Sequence, residues 1–246
     1  MKKVLLFTAL LCLSVVQVWS QGRRVTNNNS IPLIGVEAPS FTAHSTNGVI
    51  NFPADFGSDW KILFAHPKDF TPVCSSELLE LAHEQESFGK LGVQVVVLST
   101  DMLDQHKTWK AALEEIHFKG REPVKINFPL VDDNSYNVSN LYGMIHSEVS
   151  AGENIRGVFI LDPENKVRAI FYYPNEVGRN IGELKRTLIA LQKTYNNKNI
   201  VMPANWQPGD DVLVPVISVE DRQRIGEPGS PLYQLSWFMT YMKIQE

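Results

Sequence analysis

The stretch HPKDFTPVCSSELLEL, residues 66–81, joins a turn that contains two prolines to a segment with helical periodicity. The apolar run WKILFAH, residues 60–66, leads into it and is typical of a buried strand. Pro67 and Pro72 restrict the backbone and lack amide donors. Cys74 follows them, at the start of the predicted helix. A strand, a tight turn and a helix in this order indicate an α/β fold with a cysteine where the helix begins.

This position favours a reactive cysteine. The free N–H groups and the positive end of the helix dipole point at the Cys74 sulfur and favour the thiolate, which is the nucleophilic form. The amides of Val73 and Cys74 and the hydroxyl of Thr71 are available to a ligand beside it. These residues alone also allow two purely structural interpretations. Cys74 could be a buried cysteine that packs as a small hydrophobic residue, and Thr71 and Pro72 could form a helix-entry cap.

Strands and helices alternate along most of the chain, which predicts a sheet with helices on both faces. The predicted elements are a hairpin around Asn47-Gly48, strands at 60–66 and 93–100, helices at 74–91 and at 103–116 with Asp101 or Asp104 as cap, a strand at 126–133, a short helix ended by Gly143, a hairpin within 156–174 and a helix at 179–195. We therefore predict one large domain over residues 31–199.

Residues 200–246 differ in composition from this domain. They contain several prolines, yet the runs DVLVPVISV and LYQLSWFMTYM are too apolar to stay free in water. We predict a small C-terminal extension that packs on its own core or on a partner subunit.

The N-terminus has the pattern of an export signal. Residues 1–20 begin with Lys2 and Lys3, continue with an apolar run and end with small side chains, which is typical of a cleaved signal peptide. A transmembrane anchor is the alternative, but the run is short for a bilayer. We expect export, a polar leader at 21–30 and no stable membrane insertion after cleavage. Because Cys12 lies in the removed segment, Cys74 would then have no internal disulfide partner.

The spacing Pro67-x-x-x-Thr71-x-x-Cys74 matches the active-site signature of the peroxiredoxins, and HPKDFTPVCSSEL resembles their 1-Cys subgroup closely. The resemblance extends over roughly residues 31–235 through IGVEAPSFTAHSTNGVINF, VVVLSTD, NIRGVFILDP, GRNIGELKRTLIALQ and PANWQPGDDVLVPV. It implies a thioredoxin-like α/β fold, with a central mixed β-sheet flanked by helices and a small C-terminal extension domain.

The resemblance also implies roles for particular residues. The implied catalytic set is Cys74 as the peroxidatic thiolate, Arg156 as the cation that stabilises it and orients the peroxide, Thr71 as a partner of the peroxide oxygen and Pro67 as a shield of the pocket. The implied supporting residues are His66, Glu77 and Arg179, together with the amide of Val73. Taken singly, His66 is equally compatible with a structural histidine at a strand end whose hydrogen bonds are satisfied. Arg156 and Arg179, taken singly, are compatible with ordinary surface cations.

The implied function is a thiol-specific peroxidase that reduces hydrogen peroxide and alkyl hydroperoxides and forms a sulfenic acid on Cys74. Residues 75–246 contain no cysteine, so we expect an external thiol to regenerate the enzyme. In relatives the C-terminal extension packs across a homodimer, and we expect a homodimer here too. The sequence does not decide whether higher oligomers form.

Other function classes are disfavoured or remain as alternatives. The net charge of −4 and pI near 5.9 do not suggest nucleic acid as a partner. The histidines lack metal-ligand spacing, no dinucleotide motif is present, and the reaction needs no cofactor, so neither a metal nor a cofactor is predicted. A papain-like thiol protease and an inert thioredoxin-like domain are disfavoured. The main alternative is a peroxide sensor or chaperone-like oligomer that forms mixed disulfides.

Overall fold

The computed structural model describes residues 31–244, in which ten strands form two sheets. Strands rich in β-branched residues, such as the one that begins at Val93, occupy the centre of the larger sheet. The strands are β1 (Phe41–Ser45), β2 (Gly48–Phe52), β3 (Trp60–Ala65), β4 (Val93–Ser99), β5 (Leu130–Asp132), β6 (Arg156–Leu161), β7 (Val167–Tyr173), β8 (Val212–Leu213), β9 (Leu232–Ser236) and β10 (Met239–Met242).

Five α-helices connect these strands in the described part of the chain. Two of them begin at a side-chain cap that the sequence supplies: Asn180 accepts from the Glu183 amide, and Ser218 accepts from the Asp221 amide. The helices are α1 (Pro72–Lys90), α2 (Leu103–Leu113), α3 (Asn137–Leu141), α4 (Ile181–Asn196) and α5 (Val219–Arg224).

The larger sheet has seven strands in the order β2-β1-β5-β4-β3-β6-β7. Strands β3, β4 and β5 are parallel neighbours, whereas β6 and β7 continue the sheet in antiparallel fashion. The expected thioredoxin-like fold with a mixed central sheet is confirmed. The topology places β3 between β4 and β6, so the loop after Ala65 emerges between the ends of these two strands.

Both faces of this sheet are covered, as the alternation of strands and helices predicted. Ile62 and Phe64 of β3 point into a core shared with α1, α2 and α4, while Leu63 and Ala65 point into a second core on the other face. The second core includes Val138 of α3 and residues of the N-terminal hairpin. Because β3 is buried on both faces, its position and the direction of the loop that follows are tightly constrained.

The C-terminal segment forms a small antiparallel sheet in the order β8-β10-β9. Its core consists of Ile200, Trp206 and Val212, against which Ile189 and Ala190 of α4 pack. The apolar runs noticed in the sequence therefore pack partly on the main domain.

Two local predictions were wrong, for identifiable reasons. Helix α2 begins after Met102 without a side-chain cap, because Asp101 instead accepts hydrogen bonds from Ser99 and from the Asp69 amide. The strand predicted at 126–133 is limited to Leu130–Asp132. The amides of residues 126 and 127 bond to side-chain oxygens of Glu114, just after α2, and of Gln85 in α1 rather than to a strand, and Pro129 has no amide to donate.

The predicted signal peptide at 1–20, the leader at 21–30 and Cys12 lie outside the described residues. Over residues 31–244, no helix has the length and apolar character needed to cross a membrane.

Candidate active site

A short loop and the first turn of α1 position Cys74. Strand β3 ends at Ala65, and the loop reverses direction at Phe70, whose φ of 57° lies in the left-handed region. Pro72 then occupies the first helical position, where its missing amide hydrogen is not needed. Cys74 is the third residue of α1, as the sequence predicted for a cysteine at a helix start.

The first turn of α1 directs unused amides toward this region. The first hydrogen bond of the helix runs from the Ser75 amide to the Thr71 carbonyl, at 2.9 Å, so the amides of Val73 and Cys74 precede it. The Cys74 side chain is a free thiol and has no solvent-exposed surface. The sulfur therefore lies in a dry environment at the positive end of a helix.

Arg156 provides a positive charge next to the sulfur. Its Nη1 lies 3.3 Å from Cys74 Sγ and 2.8 Å from Glu77 Oε2. Its Nε and Nη2 donate to the main-chain oxygen of Asn175, at 3.0 and 2.6 Å. These bonds fix the guanidinium on two sides and leave Nη1 directed at the thiol.

Glu77 connects Arg156 to a second buried arginine. Arg179 donates to Glu77 through its amide at 2.7 Å, through Nε at 2.8 Å and through Nη2 at 2.7 Å. Its Nη1 donates to the carbonyls of Ala65 and Gly157, and its guanidinium stacks on the Phe64 ring at 3.3 Å. Burial lowers the pKa of Arg179, while the hydrogen bonds with Glu77 act in the opposite direction.

A cavity of about 190 Å³ leads from the surface to this group. Its walls include Pro67, Thr71 and Val73, and Arg156 forms the part of its lining that also contacts the sulfur. The Thr71 hydroxyl donates its hydrogen to the Lys68 carbonyl at 2.9 Å. In this conformation Thr71 therefore offers a lone pair to a ligand in the cavity, so it would act as an acceptor rather than as a donor.

His66 is fully buried next to these residues. Neither ring nitrogen makes a hydrogen bond with any described residue, and the ring lies 5.1 Å from that of Trp109. Burial, then the neighbouring His106, and then the charges of Arg179 and Arg156 hold the pKa of His66 well below its ordinary value, so the imidazole is neutral at pH 7.

Behind His66 lies a pair that the sequence patterns did not indicate. His106 Nδ1 lies 2.7 Å from Asp69 Oδ2, and His66 Nε2 lies 3.5 Å from Asp69 Oδ1. Burial raises the pKa of Asp69, although the bond with His106 opposes this effect. Asp69 and His106 are 37 positions apart, so no local sequence motif could have predicted that they are in contact.

Comparison with known proteins identifies this arrangement. Residues 34–170 match the AhpC/TSA family, and residues 190–227 match the C-terminal domain of 1-Cys peroxiredoxin. A peroxiredoxin of Methanosarcina mazei is 44% identical over 216 residues, which cover 87% of this chain and 98% of that relative. The chain belongs to the peroxiredoxin family. The resemblance noted in the active-site signature is confirmed, and the protein is a thiol-dependent peroxidase of the 1-Cys type.

Other peroxiredoxins share the fold and much of the sequence. The mitochondrial peroxiredoxin PRX1 of Saccharomyces cerevisiae is 38% identical over 202 residues, covering 79% of this chain and 76% of that protein. The solved structure of a yeast mitochondrial 1-Cys peroxiredoxin has a TM-score of 0.75 and 35% identity, covering 86% of this chain and 99% of that one. A mutant of peroxiredoxin 6 from Arenicola marina also has a TM-score of 0.75, at 30% identity, covering 87% and 99%.

The structure brings every residue of the predicted site together at one end of β3. Cys74, Arg156, Glu77 and Arg179 form one hydrogen-bonded group, Pro67, Thr71 and Val73 line the cavity above it, and His66 lies beside them. The Asn175 carbonyl, which orients Arg156 in this peroxiredoxin, was missed. A main-chain acceptor leaves no signal in residue identities, so only the structure could reveal it.

Proposed function

We propose that this thiol peroxidase acts through Cys74 alone, with Arg156 as the cation that stabilises the thiolate and orients the peroxide. The contact of 3.3 Å between Arg156 Nη1 and Cys74 Sγ, at the start of α1, is the observation that carries this proposal. The guanidinium and the amides of Val73 and Cys74 are donors directed at the place where negative charge develops on a leaving oxygen.

In the first step, the Cys74 thiolate attacks one peroxide oxygen. A sulfur–oxygen bond forms as the oxygen–oxygen bond breaks, and the leaving alkoxide or hydroxide takes the electron pair and a proton from solvent. Cys74 is oxidised to a sulfenic acid while the peroxide is reduced to an alcohol or water. The Thr71 lone pair accepts from the O–H of the bound hydroperoxide, which holds the attacked oxygen in line with the sulfur.

The dimensions of the site favour small peroxides. Cys74 has no exposed surface, and the cavity that ends at Arg156 has a volume of about 190 Å³. We therefore assign hydrogen peroxide and small alkyl hydroperoxides as substrates, in preference to bulky ones.

Regeneration requires thiols from outside the chain. A first thiol condenses with the sulfenic acid, releases water and leaves a mixed disulfide on Cys74. A second thiol displaces Cys74 as thiolate and forms the disulfide product. The solved yeast relative is described as resolved via glutathione/thioredoxin systems, so both reductants are the first to test here.

We also propose that two chains form a homodimer through the C-terminal sheet. The turn between β9 and β10 exposes Trp237 and Phe238 at 82% and 67%, next to exposed Leu235. Large apolar side chains grouped in this way favour contact with a second surface. Measurement of the molar mass by light scattering, with Trp237→Ser and Phe238→Ser variants, tests the dimer.

The proposed location is outside the cytoplasm, after cleavage of residues 1–20. The basic start and apolar run of this segment support the proposal. Intact mass analysis of the protein from its native cell tests it, because a mature chain that still contains Met1 or Cys12 would contradict export with cleavage.

The decisive experiment is rapid mixing of the reduced protein with one equivalent of hydrogen peroxide, followed by mass analysis. We expect one oxygen atom to be added at Cys74 and catalytic turnover once a reductant is supplied. In Cys74→Ser the activity should fall to background while thermal stability changes little, since one sulfur atom is replaced. Activity retained in that variant would refute the assignment.

The same experiment separates the peroxidase from the sensor or chaperone alternative. A single round of oxidation followed by stable disulfide adducts with other proteins, without turnover with either reductant, would favour the alternative.

A further inference from the structure

Three buried side chains under the catalytic loop form a group that takes no part in the reaction steps proposed above. His66, Asp69 and His106 have almost no exposed surface, and each places one nitrogen or oxygen within 4.8 Å of the other two. His66 follows β3, Asp69 lies in the loop that also carries Thr71, and His106 belongs to α2. Three independent segments of the chain therefore converge on one point.

His106 has the orientation of a metal-binding histidine. Its Nε2 lies 3.0 Å from the Val131 carbonyl, which can only accept, so Nε2 carries the hydrogen. His106 Nδ1 lies 2.7 Å from Asp69 Oδ2, so the two atoms share a proton, and Nδ1 becomes a donor atom for a metal when that proton leaves. Metal-binding histidines usually donate their other ring N–H to a carboxylate, a main-chain carbonyl or water, as His106 Nε2 does to Val131.

Each of the other two side chains contributes one buried atom without a hydrogen-bond partner. His66 Nε2 and Asp69 Oδ1 are 3.5 Å apart, and neither has a hydrogen-bond partner among residues 31–244. Leaving buried polar atoms unpaired is costly, and a single cation would satisfy a nitrogen of His66 and Oδ1 of Asp69 together with Nδ1 of His106.

We propose that His66, Asp69 and His106 form a Zn²⁺ site next to the peroxidatic cysteine. Two imidazoles and a carboxylate match the nitrogen and oxygen donors that zinc accepts, whereas calcium and magnesium require oxygen donors. Zinc ligands at about 2.0–2.2 Å in a tetrahedral arrangement lie roughly 3.3 Å from one another. The separation of 3.5 Å between His66 Nε2 and Asp69 Oδ1 already fits, and the 2.7 Å between His106 and Asp69 opens slightly when the metal replaces the shared proton.

The loop that carries Asp69 is also the outer wall of the site. Lys68 and Phe70, on either side of Asp69, are exposed, so an outward movement of this one loop gives a metal ion access. The charges of Arg156 and Arg179 act on His66 from the other side and oppose a second cation. We therefore expect weaker zinc binding than in a zinc finger, where anionic thiolates are ligands.

The test measures zinc binding without reference to peroxidase activity. Both cysteines are first replaced, as Cys12→Ser and Cys74→Ser in the full chain, so that no thiolate can bind the metal. Isothermal titration of this metal-free protein with Zn²⁺ should give one site per chain. Adding Asp69→Asn or His106→Gln should weaken binding at least about 100-fold, since each removes a direct ligand, and even the loss of a residue that only orients a ligand costs up to about 100-fold.

A matched control and a spectroscopic readout make the result specific. His117 is an exposed histidine 3.7 Å from Glu122, and His117→Gln should leave zinc affinity unchanged. Titration with Co²⁺ should give the visible absorption of a tetrahedral site, which Asp69→Asn abolishes. His66→Gln provides a third ligand variant if either of the others fails to fold by circular dichroism.

Two results would overturn the proposal. One is the absence of stoichiometric zinc binding in the protein without cysteines, and the other is equal affinity in the parent and the folded ligand variants. Neither would affect the peroxidase assignment, which depends on Cys74 and Arg156.

Discussion

Two groups of buried ionisable side chains lie at the same end of β3, and they differ in how completely they are paired. In the first group, Glu77 accepts four hydrogen bonds, one from Arg156 and three from Arg179. In the second group, Asp69 bonds to His106 through one oxygen, while its other oxygen and both nitrogens of His66 have no partner within the described chain.

Because they differ in pairing, the two groups suit different chemical roles. A fully paired group is rigid, so its charge is already oriented before a substrate arrives, and Arg156 can stabilise an anion at Cys74 without rearrangement. An incompletely paired group retains free lone pairs, which suit a proton or a metal ion. Substituting the acid of each group by its amide therefore tests the contrast directly.

The largest effect is expected for Glu77→Gln. The substitution leaves two buried guanidinium groups without their shared anion, and removing one partner of a buried ion pair costs about 3–5 kcal/mol. We expect the free energy of unfolding, measured with urea, to fall by this amount and peroxidase activity to fall with it. A loss below about 1 kcal/mol, the range of exposed ion pairs, would show that the pairing around Glu77 is not structural.

Next in size is the effect of Arg156→Ala on catalysis. Losing a donor directed at developing negative charge typically costs about 100-fold or more in rate. We expect kcat/KM for hydrogen peroxide to fall by about 100-fold, because the guanidinium that lies 3.3 Å from Cys74 Sγ is gone. Arg168→Ala is the control, because Arg168 lies on β7, next to the strand of Arg156, and its guanidinium bonds to Asp162. An unchanged kcat/KM in Arg156→Ala would argue against the role of Arg156.

A smaller effect is expected for Thr71→Val. The substitution removes one neutral hydrogen bond to the peroxide, which is worth about 1 kcal/mol, or roughly fivefold in kcat/KM. Thr71→Ser retains the hydroxyl and should restore most of the rate. If the valine and serine variants behave alike, the hydroxyl does not contact the substrate.

The smallest effect on stability is expected for Asp69→Asn in the metal-free protein. The asparagine amide donates to His106 Nδ1, so the hydrogen bond between the two side chains survives without a buried charge. We expect the free energy of unfolding to change by less than about 1 kcal/mol. A loss as large as that in Glu77→Gln would show that Asp69 forms a structural ion pair with His106 and would remove the contrast between the two groups.

Most elements of the fold, and the residues that meet at the predicted site, could be named from the sequence. Periodicity located α1, β3 and β4 to within two residues, because their burial on one or both faces imposes a regular pattern. It failed at residues 126–129 and at the start of α2, where side chains from other segments accept from the backbone amides in place of the expected partners. Arg156, Glu77 and Arg179 were found through the family resemblance, not through any spacing of their own.

The order of residues by itself determined that a cysteine begins a helix after a buried strand, and that no second cysteine follows it. Only the tertiary structure decided what surrounds that cysteine: the carbonyl of Asn175 that orients Arg156, and the meeting of His66 with Asp69 and His106. The physical reason is that local periodicity reflects burial along one segment, whereas charge pairing and metal ligation depend on distances between segments that meet only when the sheet is assembled.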